Sequence, residues 1–171
     1  MNQRVVRGLM LVLAVALAGC SSAGTEGDDG AALPALTMVD LADPDHSIEL
    51  ASITDAPRVI NLWATWCAPC RSELPAFDEV AGRAGSNIAM LGINVGEDVE
   101  QAAWLIDELG IGFPQAVDPT GDVTAELGIA GLPATLFATG DGEILDVHSG
   151  PLDAAGLISR IDEHFGVDLD A

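Results

Sequence analysis

The stretch from Arg58 to Cys70 constrains this chain most, because the apolar run Arg58-Val59-Ile60-Asn61-Leu62-Trp63 leads almost directly into Cys67-Ala68-Pro69-Cys70. Its length and β-branched residues suit a strand buried on both faces of a sheet. Pro69 suits the first turn of a helix, where its missing N–H has no intrahelical partner. Apolar spacing continues through Phe77, Val80 and Ala81, which predicts a helix from about Ala68 to Ala84, kinked at Pro75 rather than stopped there. A buried strand handed to a helix across two close cysteines points to a layered α/β domain.

The remaining pattern extends that unit. Leu36–Leu41 and Ser47–Ala51 read as an N-terminal hairpin around Ala42-Asp43-Pro44-Asp45. Ile88–Val95 reads as a second buried strand. Asp98 and Gln101 then form a capping-box start for a helix through Leu109, with Gly110 beyond its end. Val99, Ala102, Ile106 and Leu109 fall on one face of that helix. Phe113–Val117 is a short strand and Asp122–Leu127 a short helix. Ala134–Ala138 and Glu143–His148 make a hairpin around Gly140-Asp141-Gly142, and a last helix from near Asp153 carries Leu157, Ile158, Ile161 and Phe165. The order β-β-β-α-β-α-β-α-β-β-α predicts an α/β sandwich with helices on both faces. At 171 residues the chain has room for one core.

Composition removes several chemistries. The 27 acidic residues face six arginines and no lysine, for a formal charge of −21. That balance repels nucleic-acid phosphates. Without an ε-amine there is no Walker-type phosphate loop and no Schiff-base mechanism.

Arg4 and Arg7 precede the apolar run Leu9–Ala18, which ends at Gly19-Cys20 and reads as a signal peptide over residues 1–19. Ten residues rising about 1.5 Å each fall short of a hydrocarbon core of about 30 Å. Leu17-Ala18-Gly19-Cys20 resembles a bacterial lipobox, which implies that Cys20 becomes a lipidated amino terminus. Two or three acyl chains, at about 0.8 kcal/mol per buried CH₂, hold a protein at a membrane where one does not. Residues 20–33, rich in Gly, Ser and Asp to Ala32, read as a flexible tether. Residues 34–171 are left as the folded domain.

With Cys20 assigned to lipid, the remaining cysteines are Cys67 and Cys70. In an exported protein such a close pair is either a bridge of little structural value or a working redox centre, and the short loop it closes favours the second. A closed zinc site needs four ligands, and His46, His148 and His164 supply no spaced pair. No metal is expected, and no role is assigned to the histidines or to Trp104, which is placed in the core or at its rim.

Trp63-Ala64-Thr65-Trp66-Cys67-Ala68-Pro69-Cys70 resembles the active-site turn of the thioredoxin superfamily. Pro75 within the helix and Gly131-Leu132-Pro133-Ala134-Thr135 before a strand match the family's kink and its cis-proline. Asn61, Glu73 in Cys-Arg-Ser-Glu-Leu-Pro and Ile93-Asn94-Val95-Gly96-Glu97 resemble the extracytoplasmic TlpA/ResA-type oxidoreductases over roughly Leu36 to Phe165.

The resemblance implies a thioredoxin-like sandwich, a central mixed sheet flanked by helices with an N-terminal hairpin. It also implies thiol-disulfide exchange with cysteines of exported proteins, with no cofactor beyond the dithiol. A reductant fed by a membrane thiol donor, for example in cytochrome c maturation, is the implied role, at the extracytoplasmic face and as a monomer. Cys67, at a helix N-terminus that favours a thiolate, is the expected nucleophile, and Cys70 the resolving thiol. Trp66, Pro69, Leu132 and Pro133 are expected to bind substrate. Glu73 and Glu97 are implied to tune the dithiol or relay its proton, although by residue type alone they also read as a solvated helix charge and a charge before the next helix. A copper metallochaperone, with His148 as the candidate further ligand, and a peroxide-linked thiol protein are the rival readings on the same fold.

Overall fold

The computed structural model describes residues 31–52 and 54–169; the expected signal peptide, Cys20 and most of the tether lie outside them. Among the described residues, seven strands form one sheet in the order β2-β1-β5-β4-β3-β6-β7. The strands are β1 (Thr37–Asp40), β2 (Ser47–Glu49), β3 (Arg58–Trp63), β4 (Ala89–Val95), β5 (Gln115–Asp118), β6 (Ala134–Ala138) and β7 (Ile144–Ser149). The helices are α1 (Ala68–Ala84), α2 (Val99–Leu109), α3 (Asp122–Glu126) and α4 (Ala154–Phe165).

β3 is buried along its whole length and lies between β4, which it pairs in parallel, and β6, which it pairs antiparallel. β5 continues the parallel set, and the N-terminal hairpin joins the same sheet through antiparallel pairing of β1 with β5. β7 forms the far edge. The sheet is therefore mixed.

The two faces differ in how they are covered. One core carries Val59, Trp63 and Phe137 of the sheet under the buried residues of α1, α2 and α4, including Phe77, Leu105 and Ile161. The other holds Ile60, Leu62, Ile93 and Leu136 beneath Val123 of the short α3 and the N-terminal residues Leu33, Met38 and Leu50. Helices do occupy both faces, but the three long ones share one.

α1 keeps its helical hydrogen bonding past Pro75 and stops at Gly85. α2 has the expected capping box, with Asp98 accepting from the Gln101 N–H at 2.9 Å and Gln101 reaching back to the Asp98 N–H. Leu105 joins its buried face, whereas Trp104 is 58% exposed, which excludes the core and leaves the rim of the two places expected for it. β5 begins two residues later than expected. The Phe113 N–H is taken by the Asp78 carboxylate and Pro114 has no N–H, so the ladder starts only at Gln115.

The folded domain also begins earlier than expected. Leu33 is buried, Ala32 bridges Glu143, and the Ile144 N–H donates to the Ala31 carbonyl at 2.7 Å. These residues were assigned to the tether, but they are pinned to the turn between β6 and β7.

Candidate active site

β3 delivers the chain to the dithiol. It ends at Trp63, and after a short turn Cys67 caps α1, with Sγ accepting the Cys70 N–H at 3.3 Å. Cys67 and Cys70 are joined as a disulfide, with Cα atoms 5.3 Å apart. Cys70 is fully buried and Cys67 nearly so. A sulfur at this position meets the unpaired N–H groups of the first helical turn, which favour negative charge.

Pro133 immediately precedes β6, whose first residue Ala134 pairs with Leu62 near the end of β3. That pairing puts the Leu132–Pro133 peptide, which is cis, at the same pole of the sheet as the dithiol. Trp66, 70% exposed, and Leu132 line a groove of about 300 Å³ with Val95, Gly96, Thr124 and Ile129. Pro69 is not in that groove. It lines another, of about 510 Å³, on the other flank of α1 with Ser72, Glu73, Ala76, Pro151 and Leu152. The four residues expected to meet substrate are thus not gathered in one place: Trp66 and Leu132 line one groove, Pro69 lines the other beside Glu73, and Pro133 lines neither.

Both carboxylates are buried, so Glu73 is not the solvated helix charge its residue type also allowed, while Glu97 does stand directly before the Asp98 cap of α2. Glu73, on α1 one turn beyond Cys70, is 3% exposed. Its Oε1 accepts the Asn61 Nδ2–H at 2.7 Å and its Oε2 accepts the Leu152 N–H at 2.9 Å. Burial pushes its pKa up to about 7, against the opposing pull of those two hydrogen bonds. Glu97 lies beyond the end of β4. Its Oε2 accepts the Thr65 N–H and the Asn94 Nδ2–H, each at 2.7 Å, and its Oε1 accepts the Thr65 hydroxyl. It therefore ties the turn that carries Trp66 and Cys67 to β4.

Thr65 was not singled out in the sequence, and neither was Leu152. The only cue for Thr65 is its place two residues before Cys67, and a backbone donor such as Leu152 leaves no mark in a sequence. A third buried polar contact lies farther down the sheet, where Trp63 Nε1 donates to Gln115 Oε1 at 2.9 Å. The Gln115 side chain occupies the space over Gly92, where a Cβ would stand 2.0 Å from Oε1. Among the described residues there is no cluster of three or more His, Cys, Asp or Glu that could hold a metal ion.

A buried strand running into a disulfide at a helix N-terminus, with a cis-proline loop at the same pole, defines a thioredoxin-like α/β protein. Solved structures of that fold superpose on it. A DsbF homologue from Corynebacterium diphtheriae gives a TM-score of 0.69 at 29% identity, over 79% of this chain and 87% of that one. StoA from Bacillus subtilis gives 0.60 at 25%, over 72% and 96%. Residues 30–147 match the AhpC/TSA family, and the chain belongs to it.

Among curated relatives, the thiol:disulfide interchange protein HelX of Rhodobacter capsulatus is 33% identical over 106 residues, 61% of this chain and 58% of HelX. The interchange protein DsbE of Escherichia coli is 28% identical over 156 residues, 85% of this chain and 83% of DsbE. Against HelX and the DsbE homologue of Paracoccus denitrificans, the chain spans 58% and 51% of the relative's length.

Proposed function

We propose that this protein is a thiol-disulfide oxidoreductase that reduces disulfides of exported proteins through Cys67 and Cys70. The observation that carries the reading is the placement of this dithiol at the N-terminus of α1, beside the cis Leu132–Pro133 peptide and the apolar groove under Trp66.

In the reduced protein, the Cys67 thiolate attacks a substrate disulfide, forming a mixed disulfide and releasing one substrate thiolate. Cys70 then loses its proton and attacks Cys67 Sγ, which releases the second substrate sulfur as a thiolate. Two electrons have passed to the substrate, and Cys67–Cys70 is oxidised. A membrane thiol donor returns it to the dithiol by the reverse exchange. No cofactor beyond this pair takes part. Trp66, Leu132 and Pro133 receive an extended substrate segment, in the manner of strand addition. Glu73, with a pKa near the working pH, exchanges the Cys70 proton. Glu97 holds the turn.

The same reading makes residues 1–19 a signal peptide and Cys20 the lipidated residue that tethers the domain at the extracytoplasmic face of the membrane. Cysteine pairs of apocytochrome c are one substrate class that fits. A monomer suffices for the chemistry.

The direction of electron flow is tested by titrating Cys67–Cys70 in defined thiol-disulfide buffers, with tryptophan fluorescence as the report. A potential near the roughly −270 mV of thioredoxin supports a reductant, and one near the −120 mV or so of DsbA makes the protein an oxidant. Cys70→Ser should accumulate a mixed disulfide on Cys67 in the native host, identifiable by mass spectrometry. No adduct would count against exchange chemistry.

A further inference from the structure

Arg71 stands apart from the other arginines of the domain. Arg58 is buried and donates to the Leu50 carbonyl, Arg83 pairs with Glu79 one turn back on α1, and Arg160 pairs with Asp146. Arg71 is exposed, and among the described residues it alone of the arginines has no hydrogen bond or ion pair on its guanidinium. In a chain with 27 acidic residues this isolation has local causes. Its helical neighbours three and four residues away are Cys67, Ala68, Leu74 and Pro75, none of them Asp or Glu, and the first turn of α1 holds no acidic residue. The nearest carboxylate along the chain, Glu73, is turned to Asn61 and Leu152, and Asp78 accepts the Gly112 and Phe113 N–H groups.

This free charge stands at the reacting pole. The Arg71 N–H donates to the Cys67 carbonyl at 3.1 Å, so Arg71 lies one helical turn from the attacking cysteine. A long side chain on a helix leans back over the turn before it, which here is the turn of Cys67 and Cys70. Arg71 lines neither the groove under Trp66 nor the one beside Glu73. It therefore offers a contact that apolar docking of the substrate does not supply.

We propose that Arg71 selects substrates that carry a carboxylate beside the cysteine under attack, by pairing with that Asp or Glu as the mixed disulfide forms. The inference rests on reading Cys67 and Cys70 as a disulfide reductase, and it narrows the substrate class of that site. A guanidinium offers a carboxylate two parallel N–H bonds and keeps its charge at any working pH. With a formal charge of −21 the chain repels acidic proteins as a whole, so its attraction for a carboxylate is confined to this point. The favoured substrate is neutral or basic overall, with an acidic side chain next to its disulfide.

The test uses peptides closed by a disulfide that differ only in bearing Glu, Gln or Lys beside the attacked cysteine, on either side. Second-order rates of their reduction by the reduced protein are read from tryptophan fluorescence at low salt, for the parent, Arg71→Gln and Arg71→Glu. An exposed pair of this kind corresponds to about a two- to fivefold preference for the Glu peptide over the Gln peptide, once the same ratio in Arg71→Gln is divided out. Raising the salt should shrink that preference, and Arg71→Glu should favour the Lys peptide instead. If Arg71 acted only through the Cys67 thiolate, its loss would slow all three peptides by the same factor, so equal ratios in the parent and Arg71→Gln overturn the proposal. A parent that reduces the Gln peptide but shows no preference for Glu loses the role of Arg71 and keeps the reductase. A parent that reduces none of the peptides defeats both.

Discussion

Glu73 and Glu97 are buried on either side of the same dithiol turn, yet they are held differently. Glu97 receives three hydrogen bonds, two of them from Thr65 in the turn itself. Glu73 receives two, one from a β3 side chain and one from the backbone before α4. A buried carboxylate with more donors is better compensated for lost water. The Glu97 site therefore behaves as a fastening. The Glu73 site, with a pKa of about 7, is left able to take and give a proton near neutrality. What separates the two is the number and origin of the donors, since residue type and burial are alike.

The comparison is broken most severely by Glu97→Ala. Buried Asn94 and the Thr65 N–H lose their acceptor together, and an unfolding free energy lower by about 2–4 kcal/mol is expected from denaturant titration. Glu73 should reveal itself through pH. Its unfolded carboxyl ionises near 4.3 and its folded one near 7, so the native state is penalised as pH rises between those values. Stability should decline across that window by up to about 4 kcal/mol, remain level above it, and lose this slope in Glu73→Gln. A profile as steep in Glu73→Gln as in the parent would assign the slope elsewhere. The smallest effect sharpens the contrast: Thr65→Val removes one of three donors to Glu97 and should cost about 1 kcal/mol with no change in that slope.

Much of the fold was legible because its signals are local. The capping pair Asp98 and Gln101, the apolar run of β3 and the cysteines at the head of α1 each lie within a few residues of what they specify. The cis-proline was legible through resemblance. The surroundings of the carboxylates were not, because Thr65 and Glu97 are 32 residues apart and Glu73 and Leu152 are 79 apart. A glutamate on an amphipathic helix carries no mark of the strand that will cover it. The late start of β5 was hidden for the same reason, since Asp78, on α1, takes the Phe113 N–H across 35 residues. Pro69 shows a different limit. Its place beside Cys70 was correct in sequence, but only the packing of α1 against the segment before α4 decides which groove it borders.

The attachment of residues 31–33 to the β6–β7 turn settles which end of the molecule the rest of the chain comes from. Ala32 pairs with Glu143, next to the point where Ile144 meets Ala138 and Ala138 meets Arg58, the first residue of β3. The dithiol follows the last residue of β3, about 17 Å farther along the strand. The segment that enters at Ala31 thus meets the domain at the end of the sheet opposite the dithiol.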